Sequence, residues 1–252
     1  MSSAADSRRI GILLTSDDRS EFARRFPDDG QKFKTLLQPL APAWEFTVVP
    51  TMEDVLPGTL AAFDGYVITG SPASVRDRKK RWIARLLDFI QGLHRERRPT
   101  VGVCFGHQAI AQALGGRVER NPSGWQLGTR VTEFTATAPW MEPPAQQLCL
   151  YAAHNEQVLE LPAGAEPLGH AASCEFAAFR IGEHFFTTEY HPEMTPDFMS
   201  ALTDQLAPHL GRHITAQARS SLQAATQGAL FGRWMIRFLS GSAGWTVTQP
   251  RG

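Results

Sequence analysis

The chain has 252 residues, with 25 Lys and Arg balanced by 25 Asp and Glu and a formal net charge of zero. That balance offers no basic field for nucleic acid and no acidic tail for a cationic partner. Three cysteines make no disulfide framework and no run of 18 apolar residues exists, so a reducing, cytoplasmic compartment without a membrane span is expected.

In chain order, residues 1–8 lack a following apolar core of signal-peptide length and read as a flexible terminus. Residues 9–15, centred on Ile-Gly-Ile-Leu-Leu, form the first predicted strand. Residues 16–30 read as a long polar loop carrying Phe22 and Phe26. A helix over 31–38 is stopped by Pro39 and Pro42. Strands follow at 44–50 and 63–69. The helix predicted over 82–96 carries Trp82, Leu86, Phe89 and Leu93 at helical spacing. A strand at 100–103 precedes a helix from His107 to about Leu114. This alternation predicts a mainly parallel sheet covered on both faces, a flavodoxin-like three-layer α/β sandwich. Shorter strands at 131–137, 147–151, 177–181 and 184–190 predict an antiparallel extension. Residues 197–210 and 216–239 form a predicted helical C-terminal tail, and 241–252 a second flexible terminus. One domain over 9–240 results. Phe231, Trp234, Met235 and Phe238 lie at helical spacing, as a core stripe or a homodimer surface.

The chemistry concentrates in Gly102-Val103-Cys104-Phe105-Gly106-His107-Gln108. It spells a nucleophile elbow, G-x-S-x-G, with cysteine in place of serine. Small neighbours let the backbone turn sharply, and the N-terminus of the following helix favours a thiolate. A cysteine nucleophile also needs a base and a group to orient it. Tyr190-His191-Pro192-Glu193 supplies both: residues two apart on extended chain point the same way, so His191 and Glu193 can face one site. The reading is a triad of Cys104 as nucleophile, His191 as base and Glu193 as its orienter. Cys149 and Cys174 have no paired motif and read as ordinary core or surface residues. Arg76, Arg78, Lys79, Lys80 and Arg81 read as a solvated cluster, or as a carboxylate or phosphate site at the mouth of the active site. No C-x-x-C, H-E-x-x-H, P-loop or G-x-G-x-x-G after a strand is present, so no metal and no cofactor is expected.

The elbow and the His191-Pro192-Glu193 run resemble the class I (triad) glutamine amidotransferase-like family. Val67-Ile68-Thr69-Gly70-Ser71-Pro72 matches its glycine loop, and Tyr151 to Val158 with Leu161-Pro162-Ala163-Gly164 a fourth segment. The resemblance implies an oxyanion hole from the backbone N–H of Phe105 and an N–H of the Gly70-Ser71 turn. Ser71 stands where the family often has a second glycine, which leaves open which of those two amides points inward. The resemblance also implies that Gln108 contacts the glutamyl part of a substrate, with His154 and Asn155 as substrate-loop candidates, although Ala153 replaces a common serine. His107 is expected to be structural, beneath the elbow.

The implied function is cysteine-dependent hydrolysis of a γ-glutamyl amide through a γ-glutamyl thioester, on a small-molecule substrate. The elaborated segment 16–30 and the form of the elbow look like the stand-alone branch, similar to γ-glutamyl peptidases and to the amidotransferase domains of GMP synthases. The alternative is a glutaminase subunit delivering ammonia to a synthase partner. A remote alternative is a PfpI-like stress protein, but there a histidine commonly follows the cysteine, and here Phe105 does.

Overall fold

The computed structural model describes residues 7–77 and 79–241. In chain order its elements are β1 (Arg9–Leu13), α1 (Glu21–Arg24), α2 (Asp29–Leu37), β2 (Glu45–Val49), β3 (Gly65–Ile68), α3 (Arg81–Arg95), β4 (Thr100–Val103) and α4 (Phe105–Ala113). Then come β5 (Arg117–Arg120), β6 (Gln126–Phe134), β7 (Gln147–His154), β8 (Glu156–Glu160), β9 (Ala165–Ala171), β10 (Cys174–Ile181), β11 (Phe185–Thr188), α5 (Pro196–Ser221) and α6 (Gly228–Leu239).

A nine-stranded sheet runs β2-β1-β3-β4-β11-β10-β9-β6-β7. Its first five strands are parallel, and β10, β9, β6 and β7 pair antiparallel beyond them. β3, β4 and β11 are buried along their whole length, as strands sandwiched between helical layers must be. One apolar layer joins Phe33 and Leu37 of α2 to Phe231, Trp234 and Phe238 of α6. The opposite layer joins Trp82, Leu86 and Ile90 of α3 to Ala109 and Ile110 of α4. A third, smaller cluster holds Phe22, Leu127, Tyr151, Phe198 and Met199.

The three-layer expectation and the antiparallel extension therefore hold. The stripe Phe231, Trp234, Met235 and Phe238 is wholly inside the chain, at 2 % exposure or less, so it is not a dimer surface. Segment 16–30 is not all loop. Ser20 caps α1 by accepting from Ala23 N at 3.2 Å, and Asp28 caps α2 by accepting from Gln31 N at 2.8 Å. β5 and β8 escape the sequence reading because they are short and rich in charged residues, and β9 because charge, Pro167 and small residues interrupt its pattern. The tail kinks at Gly211, where the first expected tail helix ends, and the second expected helix is itself interrupted. Helical residues reach Ser221 with one non-helical residue, Gly211 (φ 79°, ψ 163°), and the gap falls before Gly228. At the termini, Ser7 Oγ donates to Ala43 O at 3.0 Å and Arg8 donates to Ser240 O at 2.9 Å, so both are tied down. The remaining terminal residues of that expectation, 1–6 and 242–252, lie outside the described residues.

Candidate active site

β4 ends at Val103 and α4 starts at Phe105, so Cys104 alone makes the turn, at φ 50° and ψ −104°. Positive φ at a non-glycine residue is strained and persists only where its surroundings over-determine it. Here the neighbours do so. Cys104 N donates to Thr188 O at 2.9 Å and Gly106 N to Thr69 O at 3.1 Å, which ties the elbow to β11 and to the end of β3. A Cβ on Gly102 would meet Gly106 O at 2.7 Å, and a Cβ on Gly106 would collide with Ile68 O. Both glycines are needed for close backbone approach.

His191 follows the end of β11. Its N–H donates to Tyr151 O at 2.7 Å, an isolated bridge that fixes the backbone against β7. Its Nδ1 lies 2.7 Å from Glu193 Oε1. A carboxylate only accepts, so Nδ1 donates and Nε2 is presented to the nucleophile. Cys104 interacts with His191, yet Nε2 has no aligned hydrogen-bond partner, a looseness common in unliganded sites. Burial pushes the Cys104 thiol up, and the adjacent His191 pulls it back. Burial alone would lower the imidazole of His191. Glu193 and Cys104 outweigh it, and His191 is held well above its ordinary value. The offset is partial, and the thiol stays above its ordinary value in the empty site.

Gly70 sits against this imidazole: a Cβ there would lie 2.7 Å from His191 Cε1. Its carbonyl accepts from Thr15 Oγ1 at 2.9 Å, so the turn after β3 is anchored to the end of β1. Gly70 and Ser71 both face the cavity with Cys104 and His191. Ser71 Oγ accepts from Ala73 N at 3.1 Å, which closes the loop. Phe105 is the first residue of α4, where a backbone N–H has no intrahelical acceptor, and its ring packs 5.5 Å from Trp82. Gly70 and Ser71 thus line the cavity with Cys104, and Phe105 opens α4 directly after it.

The three substrate-binding expectations fare differently. Gln108 Nε2 donates to Glu189 Oε1 at 2.8 Å and to Glu156 O at 2.9 Å, turned away from the cavity. His154 is buried, with Nδ1 donating to Glu156 O at 2.9 Å and burial holding its pKa down to about 4. Asn155 accepts through its backbone oxygen from Asn121 N. None of the three lines the cavity; the side chains of Gln108 and His154 are taken up instead by Glu156 and Glu189. His107 is structural as expected: it is buried, bonded to Thr187, and held at a pKa of about 3 by burial first and then by His154.

Residues missed in the sequence form most of the cavity. It encloses about 700 Å³ and opens onto Cys104 and His191. Its far wall is Phe22 of α1, Phe26, Lys32 of α2, Met194, and Phe198 and Leu202 of α5. Phe22, Phe26 and Phe198 are in mutual contact at 5.2–5.8 Å. Lys32 Nζ lies 3.5 Å over the Phe198 ring and 2.8 Å from Asp29. Glu189, wholly buried beside Cys104, was missed too. The alternation that pairs His191 with Glu193 reaches back to Glu189 and would have found it.

Three residues of the basic cluster have acidic partners: Arg76 pairs with Glu156 at 2.6 Å, Lys80 with Asp17 and Arg81 with Asp54 at 3.3 Å. Arg78 lies outside the described residues. Among the described residues no group of three His, Cys, Asp or Glu side chains is placed to hold a metal, and no helix is long and apolar enough to cross a membrane.

Gamma-glutamyl peptidase 3 of Arabidopsis thaliana is 29% identical over 192 residues, 72% of this chain and 76% of that protein. A GMP synthase (glutamine-hydrolyzing) of Cytophaga hutchinsonii is 28% identical over 132 residues, 52% of this chain but 25% of that protein. A glutamine amidotransferase structure from Thermotoga maritima superposes with a TM-score of 0.71 at 18% identity, over 92% of this chain and 98% of that one, a likeness of fold. The profile of glutamine amidotransferase class-I matches residues 34–203. With two thirds of its length inside that match, and the elbow and the His-Pro-Glu run within it, the chain belongs to the glutamine amidotransferase class-I family.

Proposed function

We propose that the protein is a γ-glutamyl hydrolase whose leaving group is larger and less polar than ammonia. Cys104 attacks the γ-amide carbonyl and the amide N–H groups of Phe105 and of Gly70 or Ser71 hold the oxyanion. His191, oriented by Glu193, gives its proton to the departing amine and leaves a γ-glutamyl thioester. Water then adds to the thioester as His191 takes its proton. The C–S bond breaks and glutamate departs, restoring the thiol.

The observation that carries the leaving-group assignment is the cavity. Its volume of about 700 Å³ lies in the range that holds drug-sized ligands. Ammonia is a single heavy atom and would leave the aromatic wall of Phe22, Phe26 and Phe198 unused. The family resemblance to γ-glutamyl peptidases points the same way.

Glutamate release by the purified protein alone tests this, using glutamine, γ-glutamyl-alanine and γ-glutamyl anilide, with Cys104→Ala as control. The expected order of kcat/KM is anilide, then alanine peptide, then glutamine, with Cys104→Ala reduced by at least ~10³-fold. Glutamine preferred over both would sink the leaving-group assignment and favour the ammonia-delivering reading.

A further inference from the structure

The cavity wall carries an ion pair that packing does not explain. Lys32 of α2 is only 8% exposed, yet it lines the cavity that opens onto Cys104 and His191. Its Nζ donates to Asp29 Oδ1 at 2.8 Å, and Asp29 lines the same cavity. Taking two charges out of water is costly, and apolar residues of similar shape commonly serve stability as well or better. The other Lys and Arg side chains of this wall are Arg19 and Arg24, and both are exposed. Arg19 pairs with Glu53 at 2.5 Å, and Arg24 donates to the carbonyl of Arg19. Among the described residues, Lys32 is thus the buried ammonium of the wall.

Its surroundings say what it can hold. An ammonium has three donors, and Asp29 takes one of them. Nζ also lies 3.5 Å over the Phe198 ring. That ring touches Phe22 at 5.8 Å and Phe26 at 5.2 Å, so the cation and the aromatic trio adjoin one another. An α-amino acid presents the matching pair. Its carboxylate and its side chain sit on the one carbon that bears the leaving nitrogen. An aromatic side chain laid on Phe22 and Phe26 brings the carboxylate beside Lys32. An amine without a carboxylate would leave this ammonium facing the cavity with no anion to meet it.

We propose that Lys32 is the binding site for a carboxylate on the leaving group: the departing amine is an α-amino acid with an aromatic side chain, its carboxylate bonded to Nζ and its ring laid on Phe22 and Phe26. The inference rests on the reading that the leaving group is larger than ammonia.

The experiment compares γ-glutamyl-phenylalanine with γ-glutamyl-phenylalanine amide, in wild type, Lys32→Arg, Lys32→Met and the double variant Lys32→Met with Asp29→Asn. The two substrates differ in the leaving-group carboxylate, and their glutamyl halves are identical. In wild type the acid is expected to exceed the amide in kcat/KM by about tenfold, the size of one hydrogen bond between charged groups. Lys32→Arg is expected to keep that ratio. Both variants carrying Lys32→Met are expected to bring it to about one, with the change in KM. The double variant removes both charges, so it decides if Lys32→Met alone fails to fold with Asp29 buried and unpaired. A ratio that survives the loss of the ammonium, or a wild-type ratio near one, would overturn the proposal. An equal loss on acid and amide leaves the ratio unmoved and counts against it in the same way, since it would place Lys32 on the glutamyl half. Glutamine outrunning both peptides in wild type would remove the larger leaving group and this proposal with it, whereas an unmoved ratio with the peptides still preferred removes this proposal alone.

Discussion

Gly70 shows how little room is left around His191. The ring of His191 occupies the space a side chain would need, and that ring is held from the other side by its 2.7 Å bond to Glu193. Gly70→Ala is therefore expected to fold and to lose about 10²-fold in kcat/KM, the scale of a misplacement near 1 Å. Thermal unfolding alongside the kinetics separates a displaced base from a damaged fold, and an unchanged kcat/KM would remove Gly70 from the site. At this scale the sequence was informative for bringing Cys104, His191 and Glu193 to one place, because each sits in a short motif whose spacing is itself geometry. It was misleading for Gln108 and His154, whose side chains could have turned either way. Only the carbonyl of Glu156 and the carboxyl of Glu189 decide that they turn inward.

Elements divide into those that carry chemistry and those that bound the cavity. β1, β3, β4 and the end of β11 bring Thr15, Gly70, Cys104 and His191 to one edge, the carboxyl ends of parallel strands. These were legible because buried strands and a strand-turn-helix junction leave strong patterns. The wall was not. α1 is a single turn of four residues, too short for periodicity to register, and it is held by the Ser20 cap and by Phe22 packing on Phe26 and Phe198. Phe22→Ala is expected to lower kcat/KM for γ-glutamyl anilide by roughly tenfold, through lost aromatic contact of 1–2 kcal/mol, and to leave glutamine within about twofold. An equal loss on both substrates would mean that α1 supports the triad and does not read the leaving group.

For the molecule as a whole, buried acid chemistry enters folding stability. Glu189 titrates near its ordinary value of about 4.3 once unfolded and well above it when folded. Between those two pH values the native state holds a proton that the unfolded chain has released. Its contribution therefore turns against folding as pH rises through that window. Glu189→Gln is expected to melt higher than wild type at pH 8 and to lose that advantage toward pH 4, as followed by thermal unfolding at both. A constant difference would mean that Glu189 does not change protonation on folding. The sheet order itself could be inferred only in outline: β5 and β8 pair with each other outside the main sheet, and β9 pairs with β6 as well as with its hairpin neighbour β10. The separate origins of wall and triad carry a consequence for how such an enzyme diversifies. Residues 18–29 approach the cavity from outside the nine-stranded sheet, so under the proposed function exchanging that stretch alone would retune which amine departs and leave Cys104, His191 and Glu193 as they are.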